Sequence, residues 1–523
     1  MCDCIYFGLQ ITIALGLLKK LGSETAIYGM SSIVGRAVNS VLMVPFHTTV
    51  FSDPKEYGIN AVFYAYAAFF NVVYTFGMET AFFRFASRER QYLQTYFNQA
   101  VSAVGLVALT GSSLLWLFAN ELAALIQYPG LGLYVRCFAL LFAIDAIVAI
   151  PFARLRLEGR PVLFASLKLG SIFLYVLLNL FFLYVCRKAV MGERFLFMQD
   201  FAKYIFKPEW AIGYIFLANL IANAAQLPAF AFVFKGFRLQ WHWQTLWPML
   251  RYAYPLLFMG LAGIVNEVID RQMLKWLLPE GFYEGISTDG AIGIYSACFK
   301  FGVFITLAIQ AFRYAAEPFF FAQAADKNSP ELFARIMHYF IIACLLMYVG
   351  IGANIDWVQY LLLGSDAYRQ GLAVVPVLLL ANCLLGIYYN LTVWFKITDR
   401  TYYGTWFATL SATLTIGGNY LLIPVIGYMG SALMHLICYA VMSAACLYYG
   451  QKYYPIPYRW QPALLYASIA TAIIYLLQWF DFQLFAVKQA IALLLSAGFA
   501  ALIFMREIRP MIQQSKAITK KNL

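Results

Sequence analysis

What most constrains this chain is a succession of apolar runs, each long enough to cross a bilayer, joined by connections too short to hold a folded domain. A transmembrane helix needs about 20 predominantly apolar residues. Fourteen stretches meet that length: 24–50, 57–83, 95–118, 132–153, 161–186, 209–234, 248–278, 290–317, 331–353, 371–395, 404–424, 429–450, 461–480 and 484–505. They occupy most of the 523 residues, so no soluble catalytic domain fits in the remainder. Composition agrees: 63% of the residues are hydrophobic and 12% charged, against about 25% charged in soluble domains. The fold class predicted is an all-α polytopic membrane protein. An earlier apolar run, residues 5–18, is short and is followed by Lys19 and Lys20, the reverse of a secretory signal. It reads as an N-terminal interfacial segment.

The connections give an orientation, because basic residues concentrate on the cytoplasmic side. One alternating set holds Lys19 and Lys20; Arg84, Arg88 and Arg90; Arg154, Arg156 and Arg160; Lys235, Arg238 and Arg251; Lys327; Lys396 and Arg400; Lys452 and Arg459; and the tail from Arg506 to Lys521. That is roughly 21 basic residues against roughly 8 in the other set, which predicts that both termini are cytoplasmic. The exception is the loop 187–208, with Arg187, Lys188, Arg194, Lys203 and Lys207 on the outer side. It reads as a small interfacial element. The formal charge of +12 is thereby assigned to membrane topology, and nucleic-acid binding is set aside.

An internal repeat is also legible. Arg156-Leu157-Glu158-Gly159-Arg160 follows span 4 and Lys396-Ile397-Thr398-Asp399-Arg400 follows span 10, and each is followed nineteen residues on by an asparagine, Asn179 or Asn419. The offset is 240 residues throughout. Tyr57-Gly58-Ile59 is similarly answered by Ile292-Gly293-Ile294. The pattern predicts two pseudo-symmetric six-helix lobes in parallel orientation, the arrangement of alternating-access transporters. The organisation expected is an N-terminal segment 1–20, an N-lobe 21–235, a cytoplasmic linker 236–247, a C-lobe 248–450, two further helices within 451–505, and a basic tail 506–523.

Ionisable residues inside spans are costly and mark function or pairing. Arg36 lies mid-span in a polar stripe with Gly35, Asn39 and Ser40. A guanidinium suits bidentate recognition of phosphate or pyrophosphate. The alternative for Arg36 is an ion pair with Asp145 of span 4 that serves packing alone. Span 7 carries Asn266, Glu267, Asp270 and Arg271. Glu267 and Arg271 are spaced for a pair within one helix, whereas Glu267 or Asp270 is alternatively a carboxylate coupling transport to Na+ or H+; Asp145 is a further candidate. Lys300 in span 8 is the second candidate cavity cation. Arg313 with Glu317, and Glu79 with Arg84, read as structural pairs. Of the prolines in spans, Pro255 is the candidate hinge. The nine cysteines show no metal-ligand spacing, the four histidines do not cluster, and no phosphate-binding loop occurs. No resident cofactor and no ATP-driven step are expected.

Several of these segments resemble a known family. Leu17 to Arg36, Glu56-Tyr57-Gly58-Ile59, Gly293-Ile294-Tyr295-Ser296-Ala297, the run Gln310 to Phe319, and Asn419-Tyr420-Leu421-Leu422-Ile423-Pro424 with Gly427 and Gly430 resemble bacterial polysaccharide flippases of the multidrug/oligosaccharidyl-lipid/polysaccharide exporter superfamily. The resemblance spans roughly residues 17–505; residues 1–16 depart from the usual start. It implies a two-lobed helical bundle in the bacterial cytoplasmic membrane that flips undecaprenyl-pyrophosphate-linked oligosaccharide to the outer leaflet for O-antigen, capsule or exopolysaccharide synthesis. It also implies a cationic cavity, for which Arg36 is the best-fitting position, and polysaccharide polymerase or assembly machinery as partners. The alternatives are a cation-coupled multidrug antiporter of the same superfamily, and a membrane glycan polymerase. Arg36 and Lys300 argue against the antiporter. The absence of histidine from the 187–208 loop argues against the polymerase.

Overall fold

A computed structural model describes residues 29–323, 329–480 and 484–510, and among them no strand occurs. Lys19, Lys20, Lys327, the 5–18 segment and the tail beyond 510 lie outside the described residues. The helices are α1 (residues 29–50), α2 (Pro54–Arg88), α3 (Arg90–Leu117), α4 (Ala119–Leu125), α5 (Gly132–Leu157), α6 (Pro161–Val190), α7 (Gln199–Ile205), α8 (Gly213–Ala224), α9 (Trp243–Leu277), α10 (288–323), α11 (Ser329–Gly352), α12 (Ile355–Leu362), α13 (Asp366–Ile397), α14 (Tyr402–Ile426), α15 (Tyr428–Tyr453), α16 (Trp460–Trp479) and α17 (Phe485–Ile508). Twelve of them are long and apolar enough to cross a membrane. The chain is a multi-pass, all-helical membrane protein.

Two of the fourteen expected spans are outside that set for local reasons. The stripe of Arg36, Asn39 and Ser40 lowers the hydropathy of α1, which also winds more loosely from Val38 to Met43. The α8 helix stops after twelve residues at Ala224, and a short turn, Gln226–Ala229, follows. In α9, Pro248 and Pro255 are both accommodated within one continuous helix.

The chain divides into two compact units, residues 1–43 with 55–272, and residues 44–54 with 273–523. The division runs through α9 after Gln272, whereas the sequence pattern began the second lobe at residue 248. In the first unit α5 packs against α3, α4 and α8. Its core is aromatic: the Phe138 and Phe216 rings lie 4.7 Å apart, and Phe63 is 5.7 Å from each. In the second unit α13 packs between α11 and α15, and α14 packs on α15. Residues 44–54 join this unit because the Tyr368 hydroxyl donates to the Phe51 carbonyl (2.6 Å) and the Gly364 amide to Thr48 Oγ1 (2.9 Å).

The repeat read from the sequence is present in the backbone. At the end of α5 the Glu158 and Arg160 amides donate to the carbonyls of Arg154 and Leu155, at 2.9 and 3.0 Å; at the end of α13 the Thr398 and Arg400 amides donate to those of Trp394 and Phe395, at 3.1 and 2.8 Å. Gly159 and Asp399, at equivalent positions, both adopt left-handed φ, 66° and 56°. This is the helix-ending turn in which one left-handed residue lets the following amide reach back to the last exposed carbonyls. Asn179 and Asn419 are both fully buried, and each Nδ2 donates 2.8 Å to the carbonyl four residues earlier, Tyr175 or Thr415.

Candidate substrate and ion sites

Arg36 sits on the first described turns of α1, where Gly35 lets the helix approach α6: a Cβ at Gly35 would lie 2.8 Å from Ile172 Cδ1. The Arg36 side chain is exposed and has no hydrogen bond or ion pair among the described residues. The packing pair with Asp145 is therefore not formed. An exposed guanidinium on an otherwise apolar helix leaves its full set of donors for a ligand or solvent.

Asp145, on α5, is held instead by an amide cluster contributed by α8. Asn223 Nδ2 donates to Asp145 Oδ1 (2.8 Å) and to Asn219 Oδ1 (3.3 Å), while Asn219 Nδ2 donates to the Tyr64 hydroxyl of α2 (3.0 Å). Asn223 Oδ1 in turn accepts from Ser171 Oγ of α6 and Gln226 Nε2, both at 3.1 Å. All four hydrogen-bonding positions of the Asn223 amide are thereby used. A carboxylate in an apolar bundle is tolerated only with such donors around it. Asp145 has no ion pair within 4.0 Å among the described residues, but the Lys168 ammonium of α6 is close enough to act on it electrostatically. That ammonium also lies 5.2 Å from the Phe152 ring. Chemically, a buried carboxylate met by a neutral amide donor and no close ion pair is a group that a proton can neutralise.

Span 7 resolves differently from its spacing. Arg271 Nη1 donates to Asp270 Oδ1 and to the Glu267 main-chain carbonyl, both at 2.7 Å, and the Arg271 amide also donates to Asp270 Oδ1. Asp270 and Arg271 are buried and Glu267 is exposed. The expected Glu267–Arg271 pair is thus replaced by a buried Asp270–Arg271 pair, because burial selects the carboxylate that shares the apolar environment of the guanidinium. Removing one partner of such a pair would strand the other. Lys300, in the second unit, is half-buried at the point where α10 tightens into a single narrow turn, Lys300–Gly302.

One structural pair also changes. Glu79 bonds Arg156 from the end of α5, not Arg84, whose guanidinium lies 4.1 Å over the Tyr252 ring. Arg313 lies 4.1 Å over the Tyr389 ring, while the Glu317 side chain falls outside the described residues. The sequence reading missed Lys168 and the amide cluster. Both were visible: Lys168 stands alone in an apolar span, and Asn219, Asn223 and Gln226 recur at the i, i+4, i+7 spacing of one helical face.

Comparison with known proteins now has a geometry to stand on. Residues 51–190 match the family model described as polysaccharide biosynthesis protein. Sequence comparison with curated proteins gives no match. Among solved structures, the lipid II flippase MurJ in an inward closed conformation is similar with a TM-score of 0.65 at 12% identity, over 92% of this chain and 100% of that one. An inward-facing multidrug resistance MATE family transporter of the MOP superfamily gives 0.60 at 12% identity, over 81% and 97%. A MOP superfamily transporter from Pyrococcus furiosus, described as having a binding pocket of reverse polarity, gives 0.55 at 12% identity, over 82% and 95%. The fold is the one that these transporters and flippases share.

Proposed function

We propose that this protein flips a lipid-linked oligosaccharide, joined through pyrophosphate to undecaprenol, from the cytoplasmic to the outer leaflet of a bacterial cytoplasmic membrane, for surface polysaccharide synthesis. The carrying observation is a coincidence. The segment that matches polysaccharide biosynthesis proteins lies in a chain whose fold is shared with a lipid II flippase over 92% of its length. Alternating access between two lobes is the mechanism that suits duplicated helical bundles. Arg36 is the cation proposed for the pyrophosphate, and Lys300 is a separate candidate in the second unit. Basic side chains within the helices also weigh against the multidrug reading, since a cationic drug would want carboxylates.

Asp145 is the candidate for ion coupling. Asp270 is committed to Arg271 and Glu267 is exposed, whereas Asp145 is held by a neutral donor, Asn223 Nδ2, and has no ion pair among the described residues. Both termini are placed in the cytoplasm by the distribution of basic loops, and a polymerase on the outer face is the partner that would consume the flipped glycan.

The test is the leaflet distribution of labelled lipid-linked glycan in proteoliposomes. Arg36→Ala is expected to fold normally and to lose about ten-fold or more of the flipping rate, the scale of a lost charge-assisted bidentate contact. Asp145→Asn is expected to retain flipping down the substrate gradient but to lose its response to an imposed Na+ or H+ gradient. Full, gradient-responsive flipping by both variants would remove this assignment of roles, and failure of the native protein to move the glycan at all would remove the flippase reading.

A further inference from the structure

The outer connection of the first unit departs from its counterpart in the second. There, α14 passes into α15 through Gly427 alone. In the first unit α6 ends at Val190 and α8 begins at Gly213. One residue is enough to join two such helices, so the additional segment is not needed as a connection.

It is nonetheless built. The α7 helix packs on the end of α6, with Ala202 and Phe206 buried beneath it. The Phe206 ring stacks on Tyr214 at 4.7 Å, and the Lys207 amide donates to the Tyr214 hydroxyl (2.6 Å). At the other end Arg194 Nη1 donates to the Tyr184 hydroxyl (3.1 Å). The side facing away from the protein is bare and aromatic: Phe197 and Tyr204 are each 85% exposed and Phe201 54%. Their i, i+4, i+7 spacing puts them on one face. Exposed Arg194, Lys203 and Lys207 accompany them. The acidic residues nearby are Glu193, which is engaged by Lys188 at 2.6 Å, and the exposed Asp200 and Glu209. Five basic residues therefore stand against three acidic ones between 187 and 209.

We propose that residues 194–207 lie in the headgroup layer of the adjoining leaflet, with Phe197, Phe201 and Tyr204 at the acyl boundary and Arg194, Lys203 and Lys207 on the phosphates of anionic lipids. The occupant is a membrane surface because the segment is tethered at both ends to the ends of helices that lead into the bilayer. An aromatic face edged by cations complements anionic headgroups above hydrocarbon. The same placement accounts for the one basic connection that violates the charge asymmetry of the others. It rests on no assumption about the transported substrate.

Hydrogen exchange of the full chain in single-copy nanodiscs tests it. Amides of 196–207 are expected to exchange on the order of ten-fold more slowly in discs containing phosphatidylglycerol than in phosphatidylcholine discs, at about the strength of two basic side chains near a charged surface. Lys203→Glu with Lys207→Glu should erase that difference. Phe197→Ser with Phe201→Ser should remove protection in both lipids, while unchanged exchange in α6 and α8 reports intact folding. Equal exchange in both lipids overturns the proposal. So does protection that appears only in discs holding two copies, which would make a second chain the occupant.

Discussion

The turns that end α5 and α13 have the same backbone, and almost nothing else about them is the same. Both close through a left-handed residue, Gly159 or Asp399, and through amides reaching back to equivalent carbonyls. Yet position 154 is an arginine that bonds Gln94, Glu158 and the Val233 carbonyl, and its equivalent, 394, is a tryptophan 1% exposed whose Nε1 donates to the Cys446 carbonyl (3.1 Å). The next connections along the chain diverge further, one residue in the second unit against 22 in the first. The comparison teaches that a duplicated fold retains its helix-ending geometry, which only backbone hydrogen bonds dictate, while side-chain packing is free to become apolar in one copy and polar in the other.

The contrast at 154 and 394 gives the largest expected effect. Trp394→Ala empties a site packed by Phe395, Tyr403 and Tyr453, with centroids 5.0 to 5.8 Å away. A loss of about 3–5 kcal/mol is expected from equilibrium unfolding in lipid-detergent micelles. Gly427→Ala comes next. Its φ of 60° and ψ of −142° is a conformation essentially reserved for glycine, and a Cβ there would run into the Tyr283 hydroxyl. The cost is about 2–3 kcal/mol. An alanine tolerated there would mean that the one-residue turn is not the constraint it looks to be. Arg154→Ala should cost about 1–2 kcal/mol, because the stranded Val233 carbonyl and Gln94 can find water near the end of the helix. A loss equal to that of Trp394→Ala would show that the two turns are energetically alike despite their chemistry.

How much of this was legible follows from the same physics. Apolar run length is what marks the spans, and the 240-residue offset marks two places where the backbone forms matching turns, since periodicity and helix-ending residues are local properties. The pairing of charges does not follow from spacing alone, because a partner can come from another helix or be chosen by burial within the same one. Glu79 took Arg156 over the nearer Arg84, and Arg271 took the buried Asp270 over the exposed Glu267. Spacing along one helix predicts which side chains are neighbours, but burial decides which of them must be paired. Asp145 was noticed as a charge within a span. Its environment was not, because the Asn219, Asn223 and Gln226 stripe belongs to a different helix and is uncharged.

The smallest effect tests the shared backbone itself. Gly159 and Asp399 hold equivalent left-handed positions, where a β-carbon is disfavoured by about 1 kcal/mol and Asp less than most. Asp399 is exposed and has no hydrogen-bond or ion-pair partner among the described residues, so replacing it removes little besides that strain. Asp399→Gly is expected to stabilise by about 0.5 kcal/mol, the relief of strain being partly offset by the extra freedom glycine brings to the unfolded chain. Gly159→Ala is expected to destabilise by about 1 kcal/mol. Opposite signs in the two unfolding measurements would establish one backbone geometry filled by two residue types. Equal and negligible shifts would mean that one of the turns relaxes out of the left-handed conformation, so that the repeat extends to the helices but not to the way they end.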